Sequence, residues 1–313
     1  MKIALVTGAR GFIGRHLSLA LHNENYKVYG IGHGAWSELD SRNWGVSCWL
    51  NGDVSNSNLK HLQAKGCMPD LVFHLAGGSS VGPSLLNPIY DFNRSVNSTV
   101  ELLEWCRLTA TDAKVVFASS AAVYGAGYKY SITEDDTLMP FSPYGFHKKI
   151  AEQLCHSYRI NFGLNVAIVR LFSVYGPELR KQLLWDVCNR LKNNSKELIL
   201  GGTGEELRDW IHISDVVSLL IMSANQASKN SIIINGGVGD PVAVKEVANH
   251  ICRKWGGITK LQFSGESRAG DPPNLVANVL RGRAIGFLPQ MSWKIGIAEY
   301  VEWFKRETSK EVF

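Results

Sequence analysis

The 313 residues contain no apolar stretch approaching the roughly 20 that cross a bilayer, which excludes a transmembrane helix. Met1-Lys2 runs directly into an apolar segment, so no signal peptide is expected. Six cysteines (Cys48, Cys67, Cys106, Cys155, Cys188, Cys252) are scattered without a C-x-x-C pair. That argues against a disulfide framework and for reduced thiols in a cytoplasmic protein, several of them in the core. Nine histidines show no H-x-x-x-H or acid-linked metal spacing, so no metal site is expected. The net charge is only +5 and no basic run occurs, which speaks against nucleic acid and suits a small anionic substrate. Repeats, low-complexity tracts and flexible linkers are absent too. The nine tryptophans form no stacking platform; Trp105, Trp255 and Trp303 fall in helical patterns as core or boundary residues. What remains is an ordinary globule, 45% apolar and 19% charged, too long for one average domain.

Against that background the segment Thr7-Gly8-Ala9-Arg10-Gly11-Phe12-Ile13-Gly14 stands out through its flanks. Ile3-Ala4-Leu5-Val6 reads as a buried strand, and Arg15 to Leu21 as a helix. Strand, glycine-rich turn and helix in this order receive a dinucleotide pyrophosphate at the helix N-terminus. Gly8 permits the tight turn, Gly11 lets the backbone approach phosphate, and Gly14 lets helix pack on strand. Further strands are expected at Val28–Ile31, Val46–Leu50, Leu71–His74, Val115–Ala118, Val166–Val169 and Ile232–Asn235. Amphipathic helices lie between the earlier ones, notably Tyr90 to Leu108 and Tyr144 to Phe162. This alternation predicts an α/β fold, a Rossmann-like doubly wound parallel sheet covered by helices on both faces. Past residue 172 the rhythm becomes irregular. We expect an NAD(P)-binding domain over 1–172 and a smaller, mainly substrate-binding lobe over 173–313, with chain near 210–238 returning to the first domain.

Ser142-Pro143-Tyr144-Gly145-Phe146-His147-Lys148 reads as a helix start, with Ser142 capping and Pro143 in the first turn. Tyr144 and Lys148 then share one helical face. A tyrosine acts as acid or base near neutrality only with a lowered pKa, which a nearby ammonium and an oxidised nicotinamide would both favour. Ser119 and Ser120 follow the strand Val115–Ala118, at the carboxyl edge of the sheet. We expect Ser119 to satisfy backbone there, and Ser120 to hydrogen-bond the substrate oxygen whose proton Tyr144 handles. Glu134-Asp135-Asp136 reads as a solvated turn before Met139-Pro140.

Taken together, these fragments resemble the extended short-chain dehydrogenase/reductase superfamily, in its nucleotide-sugar epimerase/dehydratase branch. Thr7 to Gly14 matches the cofactor turn, Gly52-Asp53-Val54 the acidic position that meets the adenine, and His74-Leu75-Ala76 the strand end near the nicotinamide half. Ser120, Tyr144 and Lys148 match the catalytic triad. Arg170 to Pro177 is similar to R-x-F-N-x-Y-G-P, Gly202 to Asp215 to G-x-G-x-x-x-R-D-x-x-x-V-x-D, and Arg268 to Pro272 to R-x-G-D-P. The resemblance implies an NAD or NADP site formed by Gly8, Gly11, Phe12, Ile13, Gly14, His33, Asp53, Val54, Leu75, Ala76, Tyr144 and Lys148. It implies substrate contacts from Ser79, Ser120, Ser173, Arg208 and Arg268, the two arginines forking onto a sugar nucleotide's diphosphate. The competing reading for Arg208 is a salt bridge to Asp209 or Glu206. Relatives often dimerise through helices corresponding to Tyr90–Leu108 and Tyr144–Phe162, so a homodimer is expected.

Three departures narrow the reaction. Related sugar 4,6-dehydratases carry an acid pair directly after the catalytic hydroxyl; here Ala121 and Ala122 stand there, and alanine moves no protons. The strand Val28–Ile31 ends in Gly32-His33 instead of an acid, which removes the repulsion that disfavours a 2′-phosphate and leaves NADP allowed. His33 is then either a phosphate contact or an exposed loop histidine. Ser173 and Ser95 replace two asparagines of the pattern, loosening the inferred substrate contacts. The expected activity is a nucleotide-sugar 4-epimerase, with an NADPH-dependent 4-keto-6-deoxy-sugar reductase as the alternative and a non-catalytic dinucleotide sensor as the reading from another class.

Overall fold

The computed structural model describes residues 1–193, 196–228, 232–256, 260–266 and 272–309. Seven parallel strands form its main sheet: β1 (Ile3–Thr7), β2 (Lys27–Gly32), β3 (Val46–Asn51), β4 (Leu71–His74), β5 (Lys114–Ser120), β6 (Asn165–Leu171) and a seventh, Ile232–Gly236. Their spatial order is seventh-β6-β5-β4-β1-β2-β3, so the order reverses between β1 and β4. Alternate side chains feed opposite faces, as a strand's period of two requires. In β5, Val115 and Phe117 join one buried cluster while Val116 and Ala118 join the other. Both faces are covered by helices, which explains why these strands read as continuous apolar runs.

A second core lies beyond β6. Tyr175, Leu184, Val187, Val247, Ile251, Tyr300 and Phe304 are all buried in it. Strand Leu207–His212 carries this region, pairing with Ser173–Tyr175, Pro241–Ala243 and Asn274–Leu275. Helix Ile213–Gln226 leaves that strand and packs against β5, β6 and the seventh strand.

Two expectations need correction. The segment Tyr90 to Leu108 is not one α-helix. It begins in the short helix Pro88–Phe92, passes through a π turn at Asn93–Asn97 and continues as Ser98–Thr109. Hydroxyls bonding back to carbonyls one turn earlier accompany the break: Ser98 Oγ donates to Arg94 O at 2.5 Å and Thr99 Oγ1 to Ser95 O at 2.6 Å. Glu134 is not part of a solvated turn. It is buried, and its carboxylate accepts the Asn235 N–H at 2.8 Å, leaving Asp135 exposed beside Arg281.

Candidate active site

The carboxyl ends of β1 to β6 border one cleft of about 1710 Å³. A single small ligand fills roughly 300–1,000 Å³, so this space accommodates two nucleotide-sized molecules. One wall is the turn after β1. Gly8 has φ of +72°, a conformation glycine adopts without strain, and a Cβ on Gly14 would lie 2.2 Å from the Gly8 carbonyl oxygen. The helix Phe12–Asn23 starts at Gly11 with no side-chain cap, so its first N–H groups remain for an anion in the cleft. Gly8, Gly11, Phe12, Ile13 and Gly14 all line the cleft, as do His33, Asp53 and Val54 at the ends of β2 and β3. His33 is exposed in the bend after β2, as the loop reading has it, with its Nε2 2.9 Å from Asp53 Oδ1.

At the β4 end the backbone is fixed from below. The N–H groups of Leu75 and Ala76, both lining the cleft, donate to Thr7 Oγ1 at 3.2 and 3.1 Å. Having accepted those bonds, the Thr7 hydroxyl donates to His74 Nδ1 at 2.7 Å, and His74 Nε2–H donates to Thr99 Oγ1 at 3.0 Å. Burial, followed by the charge of Lys148, pushes the His74 pKa down to about 3, so this imidazole is a neutral spacer. Pocket geometry therefore rests here on hydrogen bonds that carry no charge.

Ser120, Tyr144 and Lys148 meet in the same cleft. Ser142 caps the helix Pro143–Phe162 by accepting the Gly145 N–H at 3.2 Å, and Tyr144 N donates to the buried Ser84 Oγ at 3.1 Å. Ser120 Oγ accepts the Ala122 N–H at 3.2 Å, and its hydroxyl works to lower the Tyr144 pKa. That pKa nonetheless lies above the ordinary value because burial outweighs the Ser120 influence, and the Asp91 charge adds to the rise. Lys148 does not correct this alone. Its Nζ donates to Ala118 O at 2.8 Å, and burial pulls its own pKa down to about 8 despite Asp91 and Glu152. The expected lowering of the tyrosine is thus not a property of the protein side chains by themselves.

Ser119, expected to bond backbone, instead donates to Glu152 Oε1 at 2.5 Å, because a buried carboxylate lies directly beneath it. Ser79 and Ser173 line the cleft, as does Arg208. Among the described residues, neither of the two acids weighed as partners for Arg208 pairs with it. Asp209 accepts three N–H groups (Val238, Gly239, Ala277), Glu206 is held by Thr203 and Gly204, and Arg208 donates to the carbonyls of Leu207 and Pro272. Arg268 lies outside the described residues. Sequence reasoning missed Ser84, Arg94, Lys181 and the pair Asp91–His147, whose Oδ2 and Nδ1 are 2.6 Å apart. No local spacing signals a contact between side chains 56 positions apart.

The glycine cradle, the uncapped helix start and the anchored β4 end fit a dinucleotide. Comparison with known proteins agrees. The model of the NAD dependent epimerase/dehydratase family matches residues 4–237. The UDP-glucose 4-epimerase of Azospirillum brasilense is 28% identical, over 98% of this chain and 93% of its own. Among solved structures, MoeE5 in complex with UDP-glucuronic acid and NAD is 30% identical with a TM-score of 0.84, covering 97% of this chain and 99% of its own. The UDP-glucuronic acid 4-epimerase of Bacillus cereus, in complex with UDP-glucuronic acid and NAD, is 26% identical with a TM-score of 0.87 over the same shares, 97% and 99%. The chain belongs to the NAD dependent epimerase/dehydratase family.

Proposed function

We propose that the protein is an NAD-dependent nucleotide-sugar 4-epimerase, with residues 1–172 binding the dinucleotide and 173–313 mainly the sugar nucleotide. The observation that carries this reading is the convergence of Ser120, Tyr144 and Lys148 beside the glycine cradle, followed by Ala121 and Ala122 instead of acids. NAD held by the Gly8–Gly14 turn, Leu75 and Ala76 would supply reversible hydride chemistry at the sugar C4. Tyr144 removes the C4 hydroxyl proton and later restores it. Ser120 holds that oxygen by a second hydrogen bond, and Lys148, as a cation, favours the phenolate and holds the cofactor ribose. Arg208 receives the diphosphate, with Arg268 as its expected partner, and Ser79 and Ser173 contact the sugar-phosphate side.

Lys148 sets an alkaline limit. An ammonium loses its charge as pH rises through its pKa, so kcat/KM of the free enzyme should fall above about pH 8. A profile that stays flat to pH 10 would remove Lys148 from this role.

One observation favours the reductase alternative. Gly32 carries no carboxylate where an acid would repel a 2′-phosphate, and the Arg10 guanidinium packs on Gly34 at the same strand end. The cytoplasmic homodimer proposed here draws on the exposed apolar side chains Leu85, Leu86, Ile89, Phe146, Ile160 and Phe162 on helices Val81–Leu86, Pro88–Phe92 and Pro143–Phe162. Native mass spectrometry of the purified protein tests both points. A species at twice the 34.6 kDa chain mass, carrying stoichiometric NAD, is expected, since an epimerase regenerates its cofactor each cycle. Bound NADP(H) or an empty site would move the reading to the reductase, and a monomer would remove the dimer.

A further inference from the structure

Two half-buried cations in the cleft have no part in the machinery above. Arg94 belongs to the π turn Asn93–Asn97 and Lys181 to the loop before the helix Gln182–Asn193; both are half-buried and line the cleft. The π turn is fastened by Gly78 N–H donating to Ser95 Oγ at 2.9 Å, and it holds the Arg94 guanidinium over the Tyr90 ring, 5.3 Å from its centroid. Such turns recur at functional sites. In the loop, Glu178 and Gln182 bracket Lys181 with φ of +75° and +64°, left-handed conformations that persist where the surroundings enforce them.

Neither cation has a carboxylate partner among the described residues. The acids lining the cleft are all engaged elsewhere: Asp53 with His33, Asp186 with Arg190, Glu101 with the Asn56 N–H, and Glu206 with Thr203 and Gly204. Burial and then the charge of Arg94 pull the Lys181 ammonium below its ordinary pKa, which places the two cations in each other's field. Like charges converging on one cavity without a counter-ion call for an anion from outside.

The diphosphate already has Arg208, on the strand Leu207–His212 beside Pro272. The turn that bears Arg94 borders the catalytic end of the cleft through its backbone. A methyl group on Gly77 would be 3.4 Å from Lys148 Nζ and 3.7 Å from the Arg94 carbonyl oxygen. We propose that Arg94 and Lys181 form a subsite for a carboxylate carried by the sugar itself, so that the substrate is a nucleotide-linked hexuronate. This rests on the nucleotide-sugar reading above. The planar guanidinium, steadied by Tyr90, can fork onto both carboxylate oxygens, and Lys181 adds a point charge.

Calorimetric titration of the NAD-loaded enzyme with UDP, UDP-glucose and UDP-glucuronate decides it. The wild type should bind UDP-glucuronate about tenfold or more tighter than UDP-glucose, the size of one charge-assisted hydrogen bond. In Arg94→Leu and Lys181→Met that ratio should fall toward one, and in Lys181→Glu it should invert. No preference in the wild type overturns the subsite. So does parallel weakening of all three ligands in the variants, which would put the pair on the diphosphate. In both cases UDP still binds and the epimerase reading stands. If UDP and both sugars fail to bind, that reading falls and takes the subsite with it.

Discussion

Replacing Tyr144 with phenylalanine should lower kcat for C4 inversion by about 10²–10⁴-fold, the usual contribution of a positioned acid–base group. The substitution removes one oxygen from a half-buried ring whose helix is held by other bonds: the Ser142 cap, Tyr144 N to Ser84 Oγ, and Lys148 Nζ to Ala118 O. The fold should therefore survive, and binding of the sugar nucleotide should change much less than turnover. Burial raises the phenol's pKa in the protein alone, with the Ser120 hydroxyl working the other way. Activation then depends on positive charge arriving nearby, and the phenol is poised to respond to it. Inversion at C4 followed by NMR on the purified variant measures the effect. A rate within tenfold of wild type would take the proton-transfer role from Tyr144 and revive the non-catalytic sensor.

Much of this was legible because it is local. Thr7 to Gly14 declares itself through spacing and flanks, and Tyr144 and Lys148 share a face by helical period alone. β4 could be read residue for residue, since a strand buried on both faces leaves an unbroken apolar signature between polar turns. Contacts between distant segments carry no such period. Glu134 looks like one of three acids in a loop until the seventh strand brings the Asn235 N–H against it. Ser119 reads as a serine that satisfies backbone until the fold sets the Glu152 carboxylate against it. Arg94 and Lys181 belong to no motif, because what marks them is the lack of a carboxylate partner among the described residues, which becomes visible only in three dimensions.

The same logic identifies the substitution expected to cost most stability. Arg170 and Glu152 are 2% and 5% exposed, and the guanidinium meets the carboxylate through Nε to Oε1 at 3.0 Å and Nη2 to Oε2 at 2.8 Å. Arg170 Nη1 also donates to Tyr124 Oη and to the Glu134 carbonyl, both at 2.9 Å, and Tyr124 Oη donates to Asn235 Oδ1 at 2.7 Å. Burial works against the arginine's charge, but the bonds to Glu152 and Tyr124 reverse that and hold it firmly protonated. Arg170→Met would leave Glu152 buried with the Ser119 hydroxyl as its remaining side-chain donor. The expected loss is about 3–5 kcal/mol, because removing one partner strands the other's charge. Denaturant unfolding should show it as a lower midpoint at unchanged slope. Adding Glu152→Leu should recover much of the loss, since an apolar pair avoids the desolvation that the lone carboxylate suffers. If the single variant loses less than about 1 kcal/mol, the carboxylate must be taking up a proton or water there, and this network is not what ties β5 and β6 to the seventh strand beneath Ser120.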